Sequence, residues 1–359
     1  MKQIDILAIG DIVTDAFIRI KEATVTCEVN HQDCKLCVAF GEKIPYESVE
    51  VVTAVGNSAN ASVSASRLGL NSALLAYIGD DNNGSDCIAE LKKNNVITDF
   101  IRVEKGKKTN YHYVLWYDVE RTILVKHEEF NYSLGDIGKP RYIYLSSLGE
   151  NSLSYHHEIA EFVKNNPETK LVFQPGTFQI KLGKDTLKDI YTHTDIFFCN
   201  VEEAQRILSV TSRDIKSLMK NIAQLGPKHV FITDGIEGAY AYDGTDSWFM
   251  PVYPHEAFER TGAGDAFAST VVSALALGLS TKEALMWGPV NSMSVVKHIG
   301  AQKGEKIPVN GLLCIIGDAG KVDIAAAIAA AGNPNATTKT EAAAPVASPA
   351  PAPAAAPVA

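Results

Sequence analysis

Residues 260–270 read RTGAGDAFAST, and the stretch from Ala266 to Leu277 that this opens is almost wholly apolar or small. Such a run predicts a buried helix. Gly262 and Gly264 cost backbone entropy and need a reason. A Gly-rich turn opening a helix aims backbone N–H groups at one point, where the helix dipole adds partial positive charge. Gly262, Ala263 and Gly264 are therefore a candidate anion hole. Asp265 would repel the anion, and it makes sense there as a base acting on a hydroxyl that attacks the bound group. The plain alternative is a tight loop with Asp265 capping its own helix.

Outward from this turn, strand-like and helix-like runs alternate. IDILAIG (4–10), KLVFQPG (170–176), DIFFCN (195–200) and HVFITDG (229–235) read as buried strands, and AYAYDG (239–244) as an edge or hairpin strand. SANASVSASRLG (58–69), VEEAQRIL (201–208) and IKSLMKNIAQLG (215–226) read as helices. The alternation predicts an α/β fold, a three-layer α/β/α sandwich on a mainly parallel sheet. Ligands in such folds collect beyond the carboxyl ends of the strands. Residues 15–55 and 99–130 break the rhythm with alternating patterns such as ESVEVVTAV, and are expected to form a small antiparallel sheet projecting as a lid. Residues 1–320 are read as one domain. From about Gly332 the chain turns to Ala, Pro, Thr and Ser, so 332–359 is expected to be a disordered tail.

The 359 residues carry a formal charge of −9, from 33 basic and 42 acidic side chains. That balance argues against nucleic acid or an anionic membrane as partner. No apolar run reaches the length of a membrane span, and MKQIDILAIGD lacks the layout of a secretory leader, so a cytoplasmic protein is expected. Cys27, Cys34 and Cys37 cluster with His31 in CEVNHQDCKLC, but the spacing fits no standard zinc finger, and reduced thiols are the expectation.

Four further stretches carry candidate site residues. TDGIEG (233–238) places Thr233, Gly235 and Gly238 in a tight turn after a strand; a hairpin turn is the plain alternative. NVEE (200–203) opens a helix, where Asn200 is a good cap. It is also suited, with Glu203, to a magnesium–phosphate cluster reached through water. GDIVTD (10–15) is read as leaving the first strand with Asp15 at its end, a carboxylate suited to paired hydroxyls. VGNSAN (55–60) puts Gly56, Asn57 and Asn60 at a helix start, with amides able to bond hydroxyls or merely to cap.

In order along residues 3–305, these stretches resemble the ribokinase (PfkB) family of sugar and nucleoside kinases. VGNSAN before the ASRLGL helix and GAGD match its two signatures, and IGDDNNG (78–84), NVEE and TDGIEG stand at family-like places. The resemblance implies a ribokinase-like fold and a kinase using ATP and Mg²⁺. Asp265 would be its catalytic base, with Gly262, Ala263 and Gly264 stabilising the transferring phosphoryl group. It implies that Asn200 and Glu203 support Mg²⁺ and the phosphates, and that Thr233, Gly235, Gly238 and Asn291 border the nucleotide. Asp15, Gly56, Asn57 and Asn60 would grip the acceptor. Two departures stand out. The usual double glycine is Val55-Gly56, and Glu259-Arg260-Thr261 replaces Asp-Thr-x before GAGD, leaving monovalent-cation dependence open.

Family members that take sugar phosphates usually carry a basic residue inside the first signature and an Arg after the lid Thr; here Asn57 fills the first place, and in KKTNYHYV Asn110 and Tyr111 follow Thr109. An unphosphorylated acceptor follows: a small sugar, with a nucleoside as the alternative. Phe40 and Tyr46 are candidates to pack on a base. A homodimer through the lid is compatible with the family. A non-catalytic binding protein on the same fold is the reading from another class, and an intact Asp265 argues against it. A dehydrogenase is ranked last, because no G-x-G-x-x-G follows the first strand.

Overall fold

A computed structural model describes residues 3–27, 34–117, 120–252 and 262–298. The expected tail, Glu259, Arg260, Thr261, His31 and Cys314 lie outside the described residues. In chain order the first elements are β1 (Ile6–Ile9), β2 (Val13–Ile20), β3 (Thr24–Thr26), β4 (Lys35–Cys37), β5 (Tyr46–Val55) and α1 (Asn57–Arg67). Then come β6 (Ser72–Leu75), β7 (Tyr77–Gly79), α2 (Asn82–Lys93), β8 (Arg102–Glu104), β9 (Asn110–Tyr117) and β10 (Glu120–Leu124). The next are β11 (Tyr142–Leu145), α3 (Leu153–Asn165), β12 (Lys170–Phe173), α4 (Thr177–Leu182), α5 (Lys188–His193) and β13 (Thr194–Asn200). The last are α6 (Val201–Leu208), α7 (Ile215–Ala223), β14 (His229–Thr233), β15 (Ala239–Tyr242), β16 (Ser247–Met250), α8 (Ala263–Ala276) and α9 (Thr281–His298).

An eight-stranded sheet runs in the order β16-β15-β14-β13-β12-β11-β1-β6. Its pairings are parallel from β14 to β6 and antiparallel at β14–β15 and β15–β16. Both faces are covered, which is why the strands are continuous apolar runs. Ile6, Ala8 and Phe198 join a core with α1, α2, α8 and α9, while Leu7, Ile9 and Phe197 join one with α3, α5, α6 and α7. Each buried Ile, Leu or Phe stabilises by roughly 1.5–3 kcal/mol. AYAYDG is a hairpin strand, antiparallel to both neighbours, and not an edge; the edges are β16 and β6, both of which the sequence reading lacks along with β11.

The lid is a second, four-stranded sheet, β10-β9-β2-β5. It is antiparallel at β9–β10 and β2–β5, whereas β2 and β9 run parallel. Asp15 is therefore not at the end of the first strand. The chain turns at Gly10–Ile12 straight into the lid, Asp15 is the third residue of β2, and Asp11 occupies the strand-end position. The reduced-thiol expectation is also corrected, because a disulfide joins Cys27 to Cys34. The β3–β4 hairpin pairs Thr26 with Lys35, so the next residues out are brought face to face. Cys37, Cys87 and Cys199 are free thiols. Among the described residues, no helix is long and apolar enough to cross a membrane.

Candidate active site

A cavity of about 540 Å³ lies between lid and sheet. Ser147, Gln174, Asn200 and Thr233, which stand at or just beyond the carboxyl ends of four neighbouring parallel strands, line one side. Asp15, Phe17, His112 and Arg121 of the lid line the other. The opening of α8 closes the base. Gly262 takes φ 77°, ψ 0°, a left-handed conformation that glycine adopts at no steric cost. At Gly264 an added Cβ would meet nothing within 4 Å, so no neighbour in the protein demands a glycine there. Its absence of side chain leaves the first turn open toward the cavity. The first intrahelical bond is Ala266 N–H to Gly262 O at 2.8 Å, so the N–H groups before it point out of the helix end.

Asp265, in that first turn, does not cap its own helix. Its Oδ1 accepts from Asn57 Nδ2 at 2.9 Å and Gln174 Nε2 at 3.2 Å, and its Oδ2 from Asn60 Nδ2 at 2.9 Å. The hydroxyl of Tyr144 donates to Gln174 Oε1, which turns the amide nitrogen of Gln174 toward Asp265. Burial pushes the Asp265 carboxyl above its ordinary value, against the lowering effect of Asn60, Gln174 and the Arg121 charge. A raised pKa suits a base working near neutrality. Asn57 and Asn60, read from sequence as grips for hydroxyls, each direct one amide N–H to this carboxylate.

On the other side Asn200 and Glu203 form a capping box: Asn200 Oδ1 accepts from Glu203 N–H at 2.7 Å, and Glu203 Oε2 from Asn200 N–H at 2.9 Å. Both still line the cavity. Burial raises the Glu203 carboxyl, with the Asp265 charge adding to it. Thr233 lines the cavity, but Gly235, Gly238, Ala263 and Asn291 do not. Gly238 has φ 117° and lies where a Cβ would stand 2.5 Å from Met250 O, which is a hairpin reason for glycine. Asn291 is buried between helices, donating to Thr270 Oγ1 at 2.8 Å.

At the lid end Asp15 lies 3.3 Å from His112 Nδ1. Gly56, which also lines the cavity, has φ 109°, and the neighbouring left-handed residue is Ala54 at φ 57° rather than Val55. Phe40 and Tyr46 are exposed and do not line the cavity. Gln174, Arg121, His112 and His127 are cavity residues that the sequence reading missed. Gln174 alone carried a signal: it follows a strand end, in KLVFQPG, as Asn200 and Thr233 end theirs.

A profile for the pfkB family of carbohydrate kinases matches residues 21–308. Ribokinase from Bacillus subtilis is 25% identical over 273 residues, covering 74% of this chain and 88% of that protein. A nucleoside kinase from Methanothermobacter thermautotrophicus is 25% identical over 251 residues, covering 69% of this chain and 79% of that one. The crystal structure of ribokinase from Cryptococcus neoformans var. grubii serotype A, in complex with ADP, has a TM-score of 0.66 at 20% identity, covering 83% of this chain and 96% of that chain. At that identity the likeness shows a shared fold.

Proposed function

The chain belongs to the pfkB family of carbohydrate kinases and is a phosphotransferase acting on an alcohol group; on that premise we propose that it moves the γ-phosphoryl group of Mg·ATP to a hydroxyl of a small sugar, with Asp265 as base. The observation that carries this is the carboxylate of Asp265. It is pushed up by burial, gripped by three amides from α1 and the end of β12, and does not cap its own helix. It would take the acceptor's proton while the N–H groups at the start of α8 meet the charge on the transferring phosphoryl. Gly262, Ala263 and Gly264 form that turn, and Asn200, Glu203 and Thr233 would face the nucleotide phosphates.

Among the described residues, no group of three or more His, Cys, Asp or Glu could hold a metal by itself. Glu203 fits a lesser part, because a cation nearby would relieve a carboxyl raised by burial and by Asp265. Mg²⁺ keeps most of its waters and leans on phosphates, so one carboxylate reached through water suffices. When bound, it would neutralise charge on the phosphates.

A nucleoside acceptor is the second reading, favoured by Phe17 and Phe178 in the cavity wall, which offer aromatic surface to a base. The test is ADP release from Mg·ATP across ribose, fructose, adenosine, cytidine, inosine and fructose 6-phosphate. Turnover with ribose or fructose supports the sugar reading, and turnover confined to nucleosides replaces it with the second. Turnover with fructose 6-phosphate alone would sink the unphosphorylated acceptor.

A further inference from the structure

Asp11, His127 and Tyr132 form a hydrogen-bonded triad at the end of β1, with Asp11 and Tyr132 buried and His127 partly so, that proton transfer by Asp265 does not require. Asp11 is 5% exposed, and its carboxylate is held by two groups. Tyr132 OH lies 2.8 Å from Oδ1, and His127 Nδ1 lies 2.8 Å from Oδ2. Burial and the Asp11 charge hold the phenol proton on Tyr132, so the phenol donates and Asp11 accepts. A carboxylate has only lone pairs to offer, so Nδ1 of His127 is the donor in this contact, and in the neutral imidazole Nε2 is then an acceptor. Phe178 packs edge-on to the imidazole, with centroids 5.5 Å apart, and helps fix the ring plane. His127 lines the cavity, and among the described residues Nε2 has no hydrogen-bond partner.

The neighbouring wall repeats the pattern. The His112 ring lies 5.3 Å from that of His127 and turns Nδ1 toward Asp15. His112 Nε2 and Asp15 Oδ1 are buried and lack hydrogen-bond partners. Buried polar atoms without partners are costly in a finished fold, and here they border the cavity of the reaction. Asp15 Oδ1 has lone pairs that call for hydrogens from a ligand, beside the donors that Arg121 brings to the same wall.

We propose that His127, held in one tautomer by Asp11 with Tyr132, binds the acceptor: Nε2 takes a hydrogen bond from a substrate hydroxyl other than the one phosphorylated, and so selects a polyol. This rests on the kinase reading above and names the substrate feature that the site selects. Asp11 and Tyr132 are positioning residues, acting through the imidazole.

The experiment compares kcat/KM of the wild type and His127→Ala on ribose and 2-deoxyribose, and on adenosine with its 2′-deoxy and 3′-deoxy forms. Losing one hydrogen bond predicts about a tenfold fall on the fully hydroxylated acceptor, with KM for ATP unchanged. On the analogue lacking the bonded hydroxyl, the two proteins should differ little. Asp11→Asn, whose amide can donate to Nδ1 and reverse the tautomer, should reproduce the fall. An equal loss on every analogue, or no loss on any, overturns the proposal.

A measurement on the intact protein guards against a misfolded variant. With ADP present, the ¹⁵N resonance of His127 Nε2 should start in the unprotonated range and move on addition of the acceptor; a protonated Nε2 in the free protein counts against it. Asp265→Asn is run alongside. If it retains full turnover, the assignment of the base fails while the His127 comparison still stands. No transfer to any polyol ends both.

Discussion

Asn60 Nδ2 donates to Asp265 Oδ2 at 2.9 Å, joining residues 205 apart in sequence. The bond ties the start of α1, beside the lid, to the start of α8, beneath the cavity. Asn57 and Gln174 take the other oxygen, so the carboxylate is fixed in direction before any substrate arrives. Hydrogen bonds to a charged group are worth roughly 1.5–3 kcal/mol each. That grip works against the burial that raises the pKa, and the balance leaves a carboxyl group that is both oriented and above the ordinary aspartate value.

Replacing Asp265 by Asn is expected to lower kcat by about 10²–10⁴-fold with the affinity for ATP little changed, since a general base acts in the transition state. Steady-state kinetics with nucleotide titration checks this. Equal damage to both constants would mark Asp265 as structural.

Gln174→Met removes one donor from the carboxylate and leaves burial less opposed. The Asp265 pKa then rises further, because lost donors disfavour the charged form. The base works ionised, so the acid limb of the pH–rate profile should move to higher pH. A limb that stays in place would exclude Asp265 as the titrating group.

Asp81 caps α2 through Gly84 N–H and also accepts from the hydroxyl and N–H of Thr109 at the foot of the lid. Burial pushes its carboxyl up, but these donors bring it below the ordinary value. Asp81→Ala should cost about 1–2 kcal/mol at neutral pH in denaturant unfolding. The folded pKa lies under the unfolded one. The deficit should therefore be full above the ordinary aspartate value and fade as pH falls through the lowered one.

Asn291→Ala should destabilise by about 1–3 kcal/mol, because Thr270 Oγ1 loses a buried partner. Its KM for ATP should stay near the wild-type value. A selective rise in that KM, without loss of stability, would instead support the reading that Asn291 borders the nucleotide.

Reduction of the Cys27–Cys34 disulfide should act locally. The bond closes a loop of sequence separation 7, at the end of a two-stranded hairpin outside the main sheets. Limited proteolysis should cut this hairpin faster after reduction, with the thermal midpoint of the main transition little altered.

Local chemistry made much of this legible. Four strands of the parallel sheet, β1, β12, β13 and β14, announce themselves because both faces are buried, and the GAGD turn because glycine there has a backbone reason. Strands β6, β11 and β16 and the disulfide escaped. SWFM is short, and two of its four residues are exposed, which erases the apolar signature. Whether two cysteines meet depends on a hairpin register.

By itself the sequence determined the alternating α/β order, the turn that opens α8 and the presence of a carboxylate in it, since each depends on residues a few positions apart. Only the tertiary structure decided what those residues touch. Gln174 reaches Asp265 across 91 positions and His127 reaches Asp11 across 116, with no spacing rule to reveal either. The same folding directs an amide N–H of Asn57 and one of Asn60 onto the Asp265 carboxylate. A side chain's chemistry is set by its type, but its partner is set by how the chain packs, and that is a property of the whole core.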